Sequence, residues 1–436
     1  MKKLSLLAFV FISVNIFSLP IDWKGSLYVD YIALDNYRRS ASCLGTSGNV
    51  GSQEILCIDD DQASFSSYIF QLNPEITLND AVTIKGEISS GGARGGFFGD
   101  DFSGTQANSG ALFFNGPSGS DSLSLNQLYA EIYSEKALIK VGRQPKDWGL
   151  GVIYNDGDQA QDRFISTFDG IELEFTFENF KLNPFFGRLD SGQLAVSDDD
   201  LTEQGVSVLY HLKERDFKAG VLFSNRSSDS GNSQGEIDLT QWNIFISKDW
   251  DKWSLGFEAP LINGDIGANS VEANSYILEG EYRLNARWQF NLKAGLVSGD
   301  DPNTSDNENI ILHPNYNIAE ILFTFNQQNI SLNDQVFDQG VSNATFAHLG
   351  ARYFIGSWIF KMALIYARAT ETFDDQNSDL GVEADLGLEY LWYPGVKFSF
   401  DLGYHAVGDF FTFTNGGGEL ELEDPILIKS GIVIEF

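Results

Sequence analysis

The sequence predicts an all-β protein, a transmembrane antiparallel β-barrel of about eighteen strands. Three observations predict it. Many segments alternate apolar and polar side chains over lengths suited to a tilted bilayer span, short and long polar connections follow each other in turn, and the chain begins with an export signal. The 436 residues include 61 acids, 28 bases and 35 Phe, and the formal charge is −33. This acidity argues against a nucleic-acid partner, which needs a basic surface.

The first eighteen residues have the composition of a signal peptide. Lys2 and Lys3 precede an apolar run from Leu4 to Phe17, and Ser18 is a small residue suited to cleavage. The run is too short to cross a hydrocarbon core of about 30 Å. We therefore expect residues 1–18 to be a signal peptide and residues 19–436 to form one barrel domain in the outer membrane of a Gram-negative bacterium.

The strand prediction is clearest where the alternation is long. In Asn274–Asn285, Tyr276, Leu278 and Tyr282 share one face, and Glu279 and Glu281 share the other. Soluble sheets usually have strands of about five or six residues, so these longer segments fit a membrane barrel better. We expect short periplasmic turns and long extracellular loops, the most prominent at 35–63, 91–121, 144–163 and 299–344. The apolar segment 318–325 is either folded inward over the pore or an extracellular hairpin.

The polar face of the strands predicts a wet lumen. Its acids and bases are nearly balanced, and unpaired ions in a dry core would cost several kcal/mol each. The predicted pore-lining residues are Lys85, Glu87, Arg94, Glu131, Lys140, Arg143, Glu172, Glu174, Glu279, Glu281, Arg283, Lys293, Arg352, Lys361, Glu383, Asp385 and Asp401.

The excess acid lies in the long loops, as in Asp59–Asp61 and Asp198–Asp200. An acidic mouth concentrates cations and repels anions. Divalent-ion binding by these loops stays open, but no metal site is predicted, because Asp300–Glu308 lacks the glycine and register of a calcium loop.

Other sequence features bear on chemistry and on covalent structure. No GxSxG or HExxH motif occurs, so we expect neither an enzyme nor a cofactor. Cys43 and Cys57 are the two cysteines, and we expect a disulfide between them. A loop of about fifteen residues closed in this way is stabilised by roughly 3 kcal/mol in the chain-entropy model.

The C-terminus also favours an outer-membrane barrel. Ile432–Phe436 ends in Phe and resembles the final strand by which such barrels are recognised. The expected partners are therefore the barrel-assembly machinery acting through Phe436, the lipid and lipopolysaccharide of the outer membrane, and small solutes.

A run of motifs resembles one porin family. Val141-Gly142-Arg143-Gln144 is followed by Trp148-Gly149-Leu150-Gly151 and Phe168-Asp169-Gly170. This run resembles the monomeric, eighteen-stranded porins of the alginate-export type. The resemblance implies that Arg143, Gln144 and Asp169 shape the outer part of the channel. The resemblance is not extended to alginate as the substrate, because those exporters line the pore with Arg, whereas the acids and bases of this lumen are nearly equal in number.

These observations together predict an outer-membrane porin. It would allow passive diffusion of small hydrophilic solutes or ions, with a mild preference for cations. The alternatives are a non-conducting surface or adhesion barrel closed by its loops, and a channel for hydrophobic substrates. The sequence does not decide between monomer and trimer, or whether loops 91–121 and 299–344 constrict or plug the pore.

Overall fold

The computed structural model describes residues 21–36, 62–90, 94–98, 123–190, 200–229, 235–325, 340–373, 376–415, 418–420 and 423–436. Eighteen long strands in these ranges form the barrel wall. They are β1 (Ile21–Asp35), β2 (Ala63–Asn79), β3 (Val82–Ser90), β5 (Leu123–Tyr133), β6 (Leu138–Pro145), β7 (Thr167–Phe177), β8 (Phe180–Asp190), β9 (Leu201–Leu212), β10 (Phe217–Ser228), β11 (Ile237–Asp249), β12 (Trp253–Ile266), β13 (Asn269–Arg283), β14 (Trp288–Val297), β15 (Ala344–Ile355), β16 (Trp358–Arg368), β17 (Asp379–Tyr393), β18 (Val396–Val407) and β21 (Ile426–Glu435). Three further strands are short and are not counted among the eighteen strands of the wall: β4 (Gly96–Phe97), β19 (Phe413–Asn415) and β20 (Gly418–Leu420).

The sheet is antiparallel and closed. Each long strand pairs with its neighbours along the chain, and β1 pairs with both β2 and β21. At the seam, the Gly25 N–H donates to the Phe436 carbonyl at 2.9 Å, and the Phe436 N–H donates back at 3.0 Å. Closure leaves no unpaired sheet edge, as a bilayer requires. The predicted eighteen-stranded barrel is confirmed.

The wall has an apolar outer face. On β13, Tyr276 and Leu278 are exposed on the outside, whereas Ile277 between them is fully buried on the inside. Cross-strand aromatic pairs gather near the short turns, with centroid distances of 4.3 Å for Trp253 and Tyr282 and 4.4 Å for Trp358 and Tyr390. Such amphipathic rings suit a membrane interface.

The short turns take the left-handed backbone conformation that tight hairpins favour. Gly356 has φ 59° and Gly395 has φ 80°. Two-residue hairpin loops need positive φ, which glycine adopts without strain. These turns lie at the end of the barrel where β1 begins and β21 ends, in agreement with the predicted alternation of short and long connections.

Two long connections fold into the barrel. We call residues 146–166 the first inward segment and residues 299–325 the second inward segment. Within the second, Leu312 and Ile318 are buried in an apolar cluster with the wall residue Phe346. Residues 318–325 adopt bends and turns against the inner wall. The interpretation of 318–325 as an inward fold is therefore right, and the hairpin alternative is wrong.

Several predictions fall outside the described residues. These are the signal peptide, Cys43 and Cys57, and most of loops 35–63 and 91–121. The disulfide stays a prediction. Among the described residues, no helix has the length and apolar character needed to cross a membrane.

Candidate functional site in the barrel lumen

The first inward segment is fixed to the wall by Glu258 on β12. This carboxylate accepts the Leu150 backbone N–H and, at 2.7 Å, the Asn243 side-chain amide. Gly149 has φ 68°, and a Cβ there would lie 2.3 Å from a Glu258 carboxylate oxygen. Trp148 is buried against Phe245, with ring centroids 6.3 Å apart. The Trp-Gly motif therefore serves as an anchor.

A buried ion cluster fixes the same segment at a second place. Glu203 on β9 is 1% exposed and accepts from Lys146 Nζ at 2.7 Å and from the Tyr154 hydroxyl at 2.6 Å. Arg226 Nε lies 3.4 Å from the other Glu203 oxygen. The Lys146 ammonium also lies 3.9 Å from the Tyr154 ring centroid. Charge-assisted hydrogen bonds of this kind are strong and fix the geometry of their partners.

Arg94 joins the wall to the first inward segment. Its guanidinium forms a two-point ion pair with Glu87 on β3, with Nε at 2.6 Å from one carboxylate oxygen. It also donates to the Gly157 carbonyl. Asn126 and Gln127 donate to the same Glu87 carboxylate at 2.9 Å each. The sequence predicts Arg94 as a pore-lining residue, and the structure shows it buried, where it joins Glu87 to Gly157.

A cavity of about 270 Å³ lies between this part of the wall and the first inward segment. Its lining is rich in polar and charged residues and comes from β1, β2, β3, β5, the end of β6, Arg94 and residues 156–158. The lining residues are Lys24, Gln71, Asn73, Pro74, Glu75, Lys85, Gly86, Glu87, Arg94, Gln127, Tyr129, Pro145, Asp156, Gly157 and Asp158. We take this cavity as the candidate functional site.

Many bases of the inner wall are already paired with acids on neighbouring strands or, for Lys361 and Asp401, on the next strand but one. Such pairing neutralises the wall and holds long side chains against it. The pairs are Lys85–Glu131 at 3.0 Å, Lys140–Glu172 at 3.3 Å, Lys181–Glu174 at 2.7 Å, Lys293–Glu279 at 3.2 Å, Lys361–Glu389 at 3.1 Å and Lys361–Asp401 at 2.9 Å.

The first inward segment carries acids that are not balanced in this way. They are Asp147, Asp156, Asp158 and Asp162, and no ion pair joins them to a base in the described part of the chain. Desolvation and the nearby Asp156 and Asp158 raise the pKa of Asp147 to about 6. Desolvation and Asp158 likewise raise the pKa of Asp162 to about 6. The raised pKa values reflect burial first and repulsion from neighbouring carboxylates second.

The second inward segment is held by acids of β17. Glu383 accepts the backbone N–H groups of Ile321 and Leu322, both at 2.7 Å. Asp385 accepts the Glu320 N–H at 3.3 Å, and the Glu320 carboxylate pairs with Lys429 on β21. Glu383 and Asp385 therefore serve as anchors, and the expectation that they line a wet pore is wrong. They are covered because the segment needs acceptors for its backbone N–H groups.

The two inward segments contact each other. The His313 N–H donates to the Val152 carbonyl at 2.7 Å, and the Asn315 amide donates to the Phe164 carbonyl at 2.8 Å. Desolvation lowers the pKa of His313 to about 4, so this side chain is neutral at physiological pH. The apolar core of the second segment packs on β13 to β17. The cavity consequently lies off the barrel axis, towards β1 to β6.

Apart from Glu383 and Asp385, the structure places the predicted pore-lining residues in three groups. Lys85, Glu87 and Arg94 border the cavity. The larger set lies elsewhere on the inner face, namely Glu131, Lys140, Glu172, Glu174, Glu279, Glu281, Arg283, Lys293, Arg352, Lys361 and Asp401. Arg143 lies on the outer face, paired with Asp169 at 2.7 Å.

Arg143 is thus a correction. It stands opposite Leu128 in the β5–β6 register, and Leu128 is 50% exposed on the outside. Asp169, paired with it, also faces outward, whereas Gln144 faces inward and donates to the Gly170 carbonyl at 3.2 Å. A polar side chain near the extracellular end of a strand can face the polar membrane interface, so polarity alone does not place it in the lumen.

Several residues that line the cavity were not predicted from the sequence. Lys24 and Gln71 lie on the inner faces of β1 and β2, and their polar side chains at inward positions of the alternation could have identified them. Asp156 and Asp158 lie in a connection that was read only as a loop, and nothing local shows that it folds inward.

Comparisons with known proteins support the fold. No family model matches the chain, and no curated protein matches it. Solved structures do match: Acinetobacter baumannii OccAB4 is 12% identical with a TM-score of 0.53, and the match covers 95% of this chain and 98% of that one. Pseudomonas aeruginosa OpdK with vanillate is 12% identical with a TM-score of 0.52 and the same coverages. P. aeruginosa OccK2 (OpdF) in complex with glucuronate is 13% identical with a TM-score of 0.51, again at 95% and 98%. This chain therefore has the fold of an eighteen-stranded outer-membrane channel barrel.

Proposed function

We propose that the protein is an outer-membrane porin for passive diffusion of small hydrophilic solutes or ions, with a mild preference for cations. One observation carries the cation preference. Many bases of the inner wall, Lys85 and Lys140 among them, are paired with wall acids, whereas Asp156 and Asp158 border the cavity and form no ion pair with a base of the described residues. Uncompensated acids in a narrow aqueous path raise the local concentration of cations.

In this proposal the cation preference arises inside the barrel, at Asp156 and Asp158, and not at the extracellular mouth. Asp59–Asp61 and Asp198–Asp199 of the predicted acidic mouth lie outside the described residues, and Asp200 is paired with Arg188 at 2.8 Å. Charges at a constriction act on every passing ion, whereas charges at a wide mouth are screened beyond a Debye length of about 8 Å.

Two finer expectations belong to the same proposal. We propose that the motif run shared with alginate-export porins marks a common anchor of the inward segment, because Trp148 and Gly149 pack against the wall. We also propose that Phe436 serves in barrel assembly and that lipopolysaccharide surrounds the outer face, which suits the apolar side chains exposed there.

A non-conducting barrel is the second candidate function. The observation that favours it is the apolar packing of the second inward segment, which fills the lumen beside β13 to β17. A surface protein of this kind would use its loops to bind a partner and would pass no ions.

A charge-removing variant tests the proposed porin. The double substitution Asp156→Asn and Asp158→Asn is expected to shift the reversal potential in a KCl gradient towards zero. The matched control is Asp238→Asn with Asp265→Asn, which removes two acids from the outer face of β11 and β12. Equal reversal potentials in wild type and the cavity variant, or equal shifts in both variants, would refute the assigned origin of selectivity. Absence of conductance in the wild type would favour the non-conducting barrel.

A further inference from the structure

We infer that the cavity binds compact zwitterionic solutes, with an ammonium group held by the first inward segment and a carboxylate held by the wall. The inference rests on the proposed porin function and names a solute class for its cavity. It starts from the distribution of charge around the cavity. Asp156 and Asp158 approach from the inward segment, and Lys24 and Lys85 approach from β1 and β3, with the acids Glu75 and Glu87 also on the wall side.

The acidic side is suited to an ammonium group. Asp156 and Asp158 flank Gly157, whose carbonyl is already used by Arg94. This hydrogen bond fixes the backbone that carries both carboxylates. Asp158 accepts one hydrogen bond at 2.8 Å from the neighbouring Gln159 amide, and further acceptor capacity is left on both side chains.

The wall side has a hydrogen-bond donor that lacks an acceptor. Gln71 on β2 borders the cavity and is 4% exposed, and its side-chain nitrogen has no hydrogen-bond partner in the described residues. Its side-chain oxygen faces the Ser26 hydroxyl at 3.4 Å, which fixes the amide orientation. Buried donors are normally satisfied, so an unsatisfied one beside a cavity points to a ligand acceptor.

Lysine side chains supply the matching positive charge. Lys85 pairs with Glu131 at 3.0 Å and is one-third exposed, so part of its ammonium still reaches the cavity. Lys24 is two-thirds exposed and lies 3.6 Å from Asp22 and 4.0 Å from Glu75. A carboxylate beside Gln71 would therefore meet one unsatisfied donor and two lysine ammonium groups, each shared with a wall acid.

Size and charge together define the class. About 270 Å³ is below the usual range for drug-sized ligands, so the solute has few non-hydrogen atoms. A solute with only a carboxylate would be repelled by Asp156 and Asp158. The expected solute thus differs from the vanillate and glucuronate found with OpdK and OccK2, because it needs an ammonium group as well.

The test uses the ion current of the refolded mature chain in a planar bilayer. β-Alanine carries both charges, whereas propionate and ethylammonium each carry one. β-Alanine is expected to reduce the KCl current in a saturable manner, and each single-charge probe is expected to bind at least about tenfold more weakly, the effect of leaving one side of the site unpaired.

Two variants locate the site. The double substitution Asp156→Asn and Asp158→Asn should abolish the β-alanine effect, and Gln71→Leu should weaken it while leaving the response to ethylammonium unchanged. The control Asp238→Asn with Asp265→Asn should behave as wild type. A KCl current that β-alanine does not reduce, or reduces equally in all variants, overturns this inference and leaves the porin in place. No KCl current in folded protein overturns both.

Discussion

Gly149 leaves the space that the Glu258 carboxylate occupies, since a Cβ at Gly149 would lie 2.3 Å from a Glu258 oxygen. This contact joins the first inward segment to β12. It is reinforced by the Leu150 N–H, which donates to Glu258. The pair therefore fixes the position of the first inward segment against β12.

The substitution Gly149→Ala should release this anchor. The new methyl group collides with Glu258, and φ 68° is unfavourable for a residue with a side chain. We expect a larger single-channel conductance with more frequent fluctuations, while the barrel still folds. Gly280→Ala is the control, because Gly280 does not border the cavity and the atom nearest to its Cβ would be the end of the Leu255 side chain, 3.2 Å away. An unchanged conductance in Gly149→Ala would contradict the anchor.

The Glu203 cluster should be a large contributor to stability. Glu203→Ala would leave the buried Lys146 and the partly exposed Arg226 without their carboxylate, and removing one partner of a buried pair such as Lys146–Glu203 typically costs about 3–5 kcal/mol. Urea unfolding of the protein in lipid vesicles measures this cost. Glu281→Ala is the control, since its partner Arg283 is exposed. Similar losses of unfolding free energy in Glu203→Ala and Glu281→Ala would show that the Glu203 cluster stabilises the protein no more than an exposed ion pair does.

Cation preference should depend on pH. The pKa values of Asp147 and Asp162 are raised to about 6, and the pKa of Asp156 is raised by desolvation and by Asp158. A raised acid pKa means that protons bind as the pH falls through about 6, so negative charge is lost there. The reversal potential in a KCl gradient should therefore move towards zero between pH 7 and pH 5. In the double variant Asp147→Asn with Asp162→Asn, the reversal potential should change less with pH than in the wild type. A wild-type reversal potential that stays constant between pH 7 and pH 5 would contradict this prediction.

The seam of the barrel depends on a glycine. A Cβ at Gly25 would lie 2.6 Å from the Phe436 ring and 2.7 Å from the Gln71 backbone oxygen. Gly25→Val should therefore reduce the yield of folded barrel, measured as the heat-modifiable species on a gel. Phe436→Ala keeps the backbone pairing and should lose less of the folded yield in vitro than Gly25→Val does. Equal yields for wild type and Gly25→Val would show that the seam tolerates the added side chain.

The wall was predictable because its chemistry is periodic. Tyr276 and Leu278 face lipid and Glu279 faces inward. This alternation arises because the wall is one strand thick and separates the lipid outside from the polar lumen inside. The inward segments were harder, since Ile32 and Leu34 are apolar on the inner face of β1 and pack on Ile321. Such contacts join residues almost 300 positions apart, and no local pattern reveals them.

The central claim is that folded protein conducts ions with a preference for cations. The most direct measurement is the planar-bilayer conductance of the refolded mature chain, with the reversal potential read in a KCl gradient at pH 7.5. Stable conductance steps with a cation-selective reversal potential are the predicted result. Folded, heat-modifiable protein that gives no steps, or steps with an anion-selective reversal potential, would contradict it.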